Sequence, residues 1–160
     1  MINNKKLHIQ TMKNLFFLSK LFTILVFLLI AGVKSHASNI DKGIAHFNKD
    51  ELEKSKFFFE KNLVFNPKSE ESYLYLAKIF SKNENIDEQE KNLNSVLLLN
   101  PKNEEAMYML ILLKIKQSNY DRAQKLIKNF AEICKTLCSK KTEINNKFKT
   151  LSPENEKNNN

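Results

Sequence analysis

Asn66-Pro67-Lys68-Ser69-Glu70-Glu71 returns as Asn100-Pro101-Lys102-Asn103-Glu104-Glu105, displaced by 34 residues. The echo runs on, with Tyr73 answered by Met107 and Leu76 by Leu110. A fixed period decides an architecture before any single residue does, because each unit is one supersecondary element that buries its apolar face only against a neighbour. The text around the echo is helical. Ile40, Ile44 and Phe47 fall on one stripe, and Tyr73, Leu76, Ala77 and Phe80 on another. Leu52, Phe59 and Leu63 make a third, and Ile86, Leu93, Val96 and Leu97 a fourth. Asp87 and Glu88, like Glu104 and Glu105, crowd first turns, where the helix dipole favours negative charge. Polar connections at 49–51, 82–85 and 117–119 are short enough to join antiparallel neighbours. The pattern predicts an all-α array of about three helical hairpins, close to the minimum at which such stacking is stable.

The period, with proline closing the units at Pro67 and Pro101, resembles the tetratricopeptide repeat. The family pattern is W-x2-L-G-x2-Y, then A-x3-F, then P. In the second unit Tyr73 takes the Trp place, Leu76 the Leu, Ala77 the small residue, Phe80 the Tyr and Leu93 the Phe, while Gln89 departs where Ala is usual. The first unit keeps Gly43, Phe59 and Pro67 but has Asn39, Lys42, His46 and Ser55 at other signature places. The third keeps Leu110 and Ala123, with Met107, Ile111 and Ile127 as substitutes and Lys114 and Lys135 as departures from Tyr and Pro. The resemblance covers roughly residues 38–135, divided 38–69, 70–103 and 104–135.

Gly occurs only at Gly32 and Gly43 and Pro only at Pro67, Pro101 and Pro153, which disfavours turn-rich β structure. Twenty-five of the 26 basic residues are Lys, and Asn is abundant; both read as a compositional bias of the source genome. The net charge of +8 is unevenly placed. Five lysines and no acid precede residue 38, leaving 21 basic and 18 acidic residues, a net +3, in the remainder. With no basic–aromatic stripe there, nucleic acid is not an expected partner. Lys5, Lys6, Lys13 and Lys20 precede a 13-residue apolar run at 21–33, and Ser35-His36-Ala37 follows with small residues at an A-x-A-like site. Residues 1–37 thus read as a secretory signal peptide, or as an uncleaved signal anchor, with the remainder exported to a bacterial periplasm, secreted, or held outside the cytoplasm by a single span. The run is shorter than the roughly 20 residues a span needs, and extending it back takes in Ser19 and Lys20. Cutting after Ala37 would leave Ser38 or Asn39 to cap the first helix.

From Leu137 a further stripe of Ile144, Phe148 and Leu151 is expected to form a capping helix at 136–151, since open-ended arrays need caps. Residues 152–160, polar and ending in three asparagines, read as disordered. Cys134 and Cys138 are the only cysteines. In a reducing compartment they are two buried thiols; in an exported protein an intramolecular bond would pin the last repeat to the cap. A redox-active pair is disfavoured because the spacing is not C-x-x-C, and metal binding because other ligands are missing nearby.

No enzyme emerges from this inventory. His46 is the only histidine after residue 37, and the chain lacks a phosphate-binding glycine loop, G-x-S-x-G and H-E-x-x-H. No cofactor is implied. The resemblance instead implies a scaffold whose first helices line a groove for a peptide or protein partner. Its groove places fall on Ile40, Ile44, Phe47 and Asn48; on Leu74, Lys78, Ser81 and Lys82; and on Tyr108, Leu112, Ile115 and Lys116. Ile44, Phe47, Leu112 and Ile115 read equally well as core. Ile40 and Ile44 stand where some relatives place Lys and Asn to clamp a terminal carboxylate, so that mode is not expected. Lysines at one edge of an apolar groove would suit a partner with apolar anchors and acids. The alternative is a self-associating structural part of an envelope or secretion assembly, using the apolar run at 107–113.

Overall fold

The computed structural model describes Lys20 and residues 38–152. The chain divides into two units, 1–36 and 37–160, and the helices below all belong to the second. The expected leader, Lys20 apart, and the expected tail beyond Ser152 lie outside the described residues. Seven helices follow one another: α1 Asn39–Phe47, α2 Leu52–Phe65, α3 Glu70–Lys82, α4 Ile86–Leu99, α5 Glu104–Lys116, α6 Tyr120–Ile133 and α7 Lys140–Leu151. There is no strand among the described residues. The first six pair as hairpins α1/α2, α3/α4 and α5/α6, each hairpin packs on the next, and α7 lies against α5 and α6. The fold is an all-α helical repeat array.

Capping explains where these helices begin. The Ser38 hydroxyl accepts from the Asp41 N–H at 3.1 Å while the Asp41 carboxylate accepts from the Ser38 N–H at 2.9 Å, a reciprocal capping box that starts α1. Ser69, Asn85, Asn103 and Asn119 cap α3 to α6 by accepting from a backbone N–H three residues on. Several asparagines therefore have defined structural work, which composition alone did not reveal. The hairpin turns are equally regular. Asp50, Glu84 and Ser118 all have left-handed backbone, with φ of 58°, 55° and 57°. The next residue's N–H then reaches back to the last turn of the preceding helix, Glu51 to His46 O, Asn85 to Phe80 O and Asn119 to Lys114 O, at 2.9–3.0 Å. These closures satisfy carbonyls that a helix end would leave orphaned.

The core forms two clusters. Phe59, Leu76, Ile79 and Phe80 are buried between the first and second hairpins, with Ile40, Ile44, Phe47 and Tyr75 packed at their edge. Leu93, Val96, Met107, Leu110, Ile111, Leu126, Phe130 and Ile144 belong to the larger cluster, which runs from the second hairpin to α7. Of the apolar run at 107–113, Met107, Leu110, Ile111 and Leu113 are buried there, while Tyr108, Met109 and Leu112 are half-buried. Gly43 matters for close approach. A Cβ on it would stand 2.8 Å from the fully buried Phe59 ring, and its carbonyl accepts the buried Ser55 hydroxyl at 2.8 Å. The absence of a side chain lets α1 settle onto α2.

The cap starts later than its sequence stripe. Residues 134–139 are not helical, and α7 begins at Lys140. Cys134 ends α6 in extended conformation and is disulfide-bonded to Cys138, with Cα atoms 5.2 Å apart. Inside the closed loop the N–H groups of Lys135, Thr136 and Leu137 donate to the Glu104 carboxylate at 2.7–3.2 Å. Leu137 leads these donors in holding the Glu104 carboxyl below its ordinary value. Glu70 does the corresponding task one unit earlier, accepting from the Asn100 and Asn103 side chains at 3.0 and 2.5 Å. The first acid of each repeated pair thus holds the turn that follows its hairpin as well as facing a helix dipole.

Candidate interaction groove

The first helices of successive units lie side by side, and side-chain contacts stitch them into one surface. Phe47 of α1 meets Tyr75 of α3 edge-on at 5.2 Å between ring centroids. Lys78 of α3 pairs with Glu105 of α5 at 2.8 Å, and Tyr108 of α5 donates to Glu143 of α7 at 2.8 Å. Burial and the Glu143 carboxylate push the Tyr108 hydroxyl above its ordinary value, so it stays a donor. Glu143 is drawn down to about 2, first by Lys140 and then by Tyr108 and Lys147.

The residues given a groove role by resemblance are not equivalent in place. Ile40, Ile44 and Phe47 are half-buried against the first cluster and so serve the core as well as the surface. Asn48 is exposed at the end of α1. Leu74 is half-buried against the second cluster. Lys78 is paired with Glu105 and lies 4.8 Å over the Tyr75 ring; Lys82 is paired with Asp50 at 2.6 Å and lies 5.0 Å over Phe47. Neither lysine is a free positive charge awaiting a partner's acid. Ser81, Leu112 and Lys116 converge on a cleft of about 170 Å³, which Glu84, Ile86, Gln89, Met109 and Leu113 complete. Ile115 does not join them: it is 4% exposed and packs in the core. Its side chain is turned inward because α5, between the second hairpin and α6, is apolar around most of its circumference.

Tyr108 lines a second, larger cleft of about 540 Å³ with Glu104, Glu105, Leu137 and Lys140. Glu105, Met109 and Lys140 were missed in the sequence. Glu105 stands one 34-residue step after Glu71, so the period could have pointed to it; Lys140 belongs to the cap, for which no family place existed. Lys114 departs from the expected aromatic for a visible reason. Nearly buried, it donates to Glu90 of the preceding hairpin and to Gln117, which also donates to Glu90 at 3.1 Å. The Lys114 hydrogen bond is the main cause holding the Glu90 carboxyl below its ordinary value.

His46 bonds the Glu51 carboxylate through Nδ1 and stacks on Phe58 with centroids 5.3 Å apart. No group of three His, Cys, Asp or Glu residues among those described is arranged to hold a metal ion.

No family model matches the sequence, and neither does any curated protein. Solved structures do match. The TPR2B domain of yeast Sti1, in its pHsp70 complex, superposes with a TM-score of 0.59 at 17% identity over 69% of this chain and 90% of that one. The backbone has a tetratricopeptide-like fold. The C-terminal TPR-containing domain of a Plasmodium falciparum FK506-binding protein matches similarly, with a TM-score of 0.58 at 18% identity over 71% and 83% of the two chains. At such identities the tetratricopeptide likeness describes backbone architecture, and the side chains facing the groove are this chain's own.

Proposed function

We propose that this protein is a non-catalytic scaffold, exported by its leader, that holds another protein or a peptide in the groove of its tetratricopeptide array. The observation that carries the reading is the cleft at Leu112, Met109, Ser81 and Lys116, an apolar floor between α3, α4 and α5 whose rim carries both Glu84 and Lys116. Its volume of about 170 Å³ has room for one apolar anchor side chain, with Lys116 free to meet an acid beside it. The Sti1 domain, seen with a pHsp70 partner, supports a peptide or protein as the class of ligand. The self-associating alternative has less apolar surface to draw on, because Met107, Leu110, Ile111 and Leu113 of the run in the third hairpin are buried and only Tyr108, Met109 and Leu112 stay half-open.

A crosslinking pull-down of the full-length protein from its native cells tests this, with the mature N-terminus read from the same sample. The expected result is one stoichiometric partner, lost on Leu112→Arg/Lys116→Glu while the thermal melt stays cooperative. Recovery of the protein alone would put self-assembly ahead. A terminus at Ser38 would identify a cleaved leader, and an intact leader an anchor.

A further inference from the structure

Large apolar side chains stand in water at one end of the array. Val64 and Phe65 close α2 at 77% and 75% exposure, and Leu98 and Leu99 close α4 at 84% and 38%. The two pairs are 34 residues apart, so they occupy the same place in successive units, and each is followed by Asn-Pro-Lys. Phe57, also exposed, lies seven residues before Val64 on the same side of α2. Isolated exposed apolar residues need no explanation, but a recurring pair at successive turns forms a patch that the core does not use.

The surrounding charge says what would cover it. Lys61 lies 5.9 Å over the Phe57 ring. Lys68 and Lys102 follow the two apolar tips, Lys135 lies in the third inter-repeat loop, and among the described residues none of these three side chains forms an ion pair. The acids at this end are largely engaged: Glu70 by Asn100 and Asn103, Glu104 by the 135–137 backbone, and Glu105 by Lys78. Exposed Asp41, itself held by Ser38, and exposed Glu60, Glu71 and Glu132 are outnumbered by exposed Lys61, Lys68, Lys102, Lys128 and Lys135. Apolar tips set among unpaired lysines suit the interface of an anionic bilayer, where the side chains enter the headgroup boundary and the lysines meet lipid phosphates. A two-fold pairing with a second copy would instead bring Lys68 and Lys102 toward their own counterparts. Ser38 stands at this same end, because α1, α3 and α5 begin where α2 and α4 finish.

We propose that the end of the array bearing Val64, Phe65, Leu98 and Leu99, with Lys68 and Lys102, docks on an anionic lipid surface. The chain contains no Trp, so single reporters can be read in the full-length protein. Phe65→Trp and Leu98→Trp, both at exposed positions, are compared with Leu151→Trp at the opposite end of the array. Each is added to phosphatidylcholine vesicles with or without phosphatidylglycerol, with brominated acyl chains as quenchers. The expected result is blue-shifted emission and several-fold quenching for the first two in phosphatidylglycerol vesicles, with little change for Leu151→Trp. Adding Lys68→Glu/Lys102→Glu should weaken the quench-detected association about tenfold or more. Water-like emission at both tips would overturn the proposal, as would equal quenching of Leu151→Trp. So would a blue shift without lipid that grows with protein concentration, which would assign the patch to a second copy.

Discussion

Asp50, Glu84 and Ser118 occupy the left-handed position of the three hairpin turns, where glycine is the residue without a steric penalty. A left-handed L-residue costs roughly 1–2 kcal/mol, and glycine gives back roughly 0.5–1 through unfolded-chain entropy. Ser118→Gly should therefore stabilise the protein by about 0.5–1 kcal/mol, read as a higher urea midpoint at unchanged slope. An unchanged or lower midpoint would mean the turn carries no such strain. Residue type marks these places as polar connections but not as left-handed positions, since none is glycine; their common 34-residue register is what aligns them. Lys114 was illegible for a related reason. Its partner Glu90 is 24 residues away, a pairing that neither helical spacing nor the repeat period suggests.

At the scale of elements, α7 shows how a stripe can be right about direction and loose about depth. Ile144 is 1% exposed within the large cluster, Phe148 is half-buried, and Leu151 is 56% exposed. Ile144→Ala should cost roughly 2–5 kcal/mol, while Leu151→Ala should stay within about 0.5 kcal/mol, both measured by urea unfolding. Equal costs would mean that α7 does not cap the array as described. Its stripe was visible because periodicity is local. Its start at Lys140 was not, because that boundary depends on Cys134 leaving helical geometry and on Glu104 collecting the N–H groups of residues 135–137. Those contacts span more than thirty positions in sequence.

Across the whole molecule, hydrogen bonds and ion pairs engage a set of carboxylates, some within the first hairpin and some between units, whose protonation bears on stability. Asp41, Glu51, Glu90, Glu104 and Glu143 are all held below their ordinary values, chiefly by the Ser38 hydroxyl, His46, Lys114, the Leu137 N–H and Lys140 respectively. A carboxyl lowered by folding contributes fully above its unfolded value, near 4.5 for Glu, and the contribution is lost as pH falls toward the folded value. Tyr108 and Lys140 are raised, so their contributions hold below about pH 10 and are lost as pH rises further. The urea midpoint should accordingly be nearly level between about pH 6 and 9 and fall steadily from about pH 5 to pH 3. A midpoint at pH 3 equal to that at pH 7 would show that the network adds nothing. The sequence by itself determined the helices, their hairpin order, the array and its period, because amphipathic spacing, capping residues and a 34-residue echo act through neighbours along the chain. Tertiary structure alone decided which groove residues remain open. Ile115 turns into the core, Lys78 and Lys82 are neutralised by acids from other elements, and Leu112 and Lys116 are left to form a cleft. Exposure and pairing are properties of helices after they have packed, and a one-dimensional pattern does not contain them.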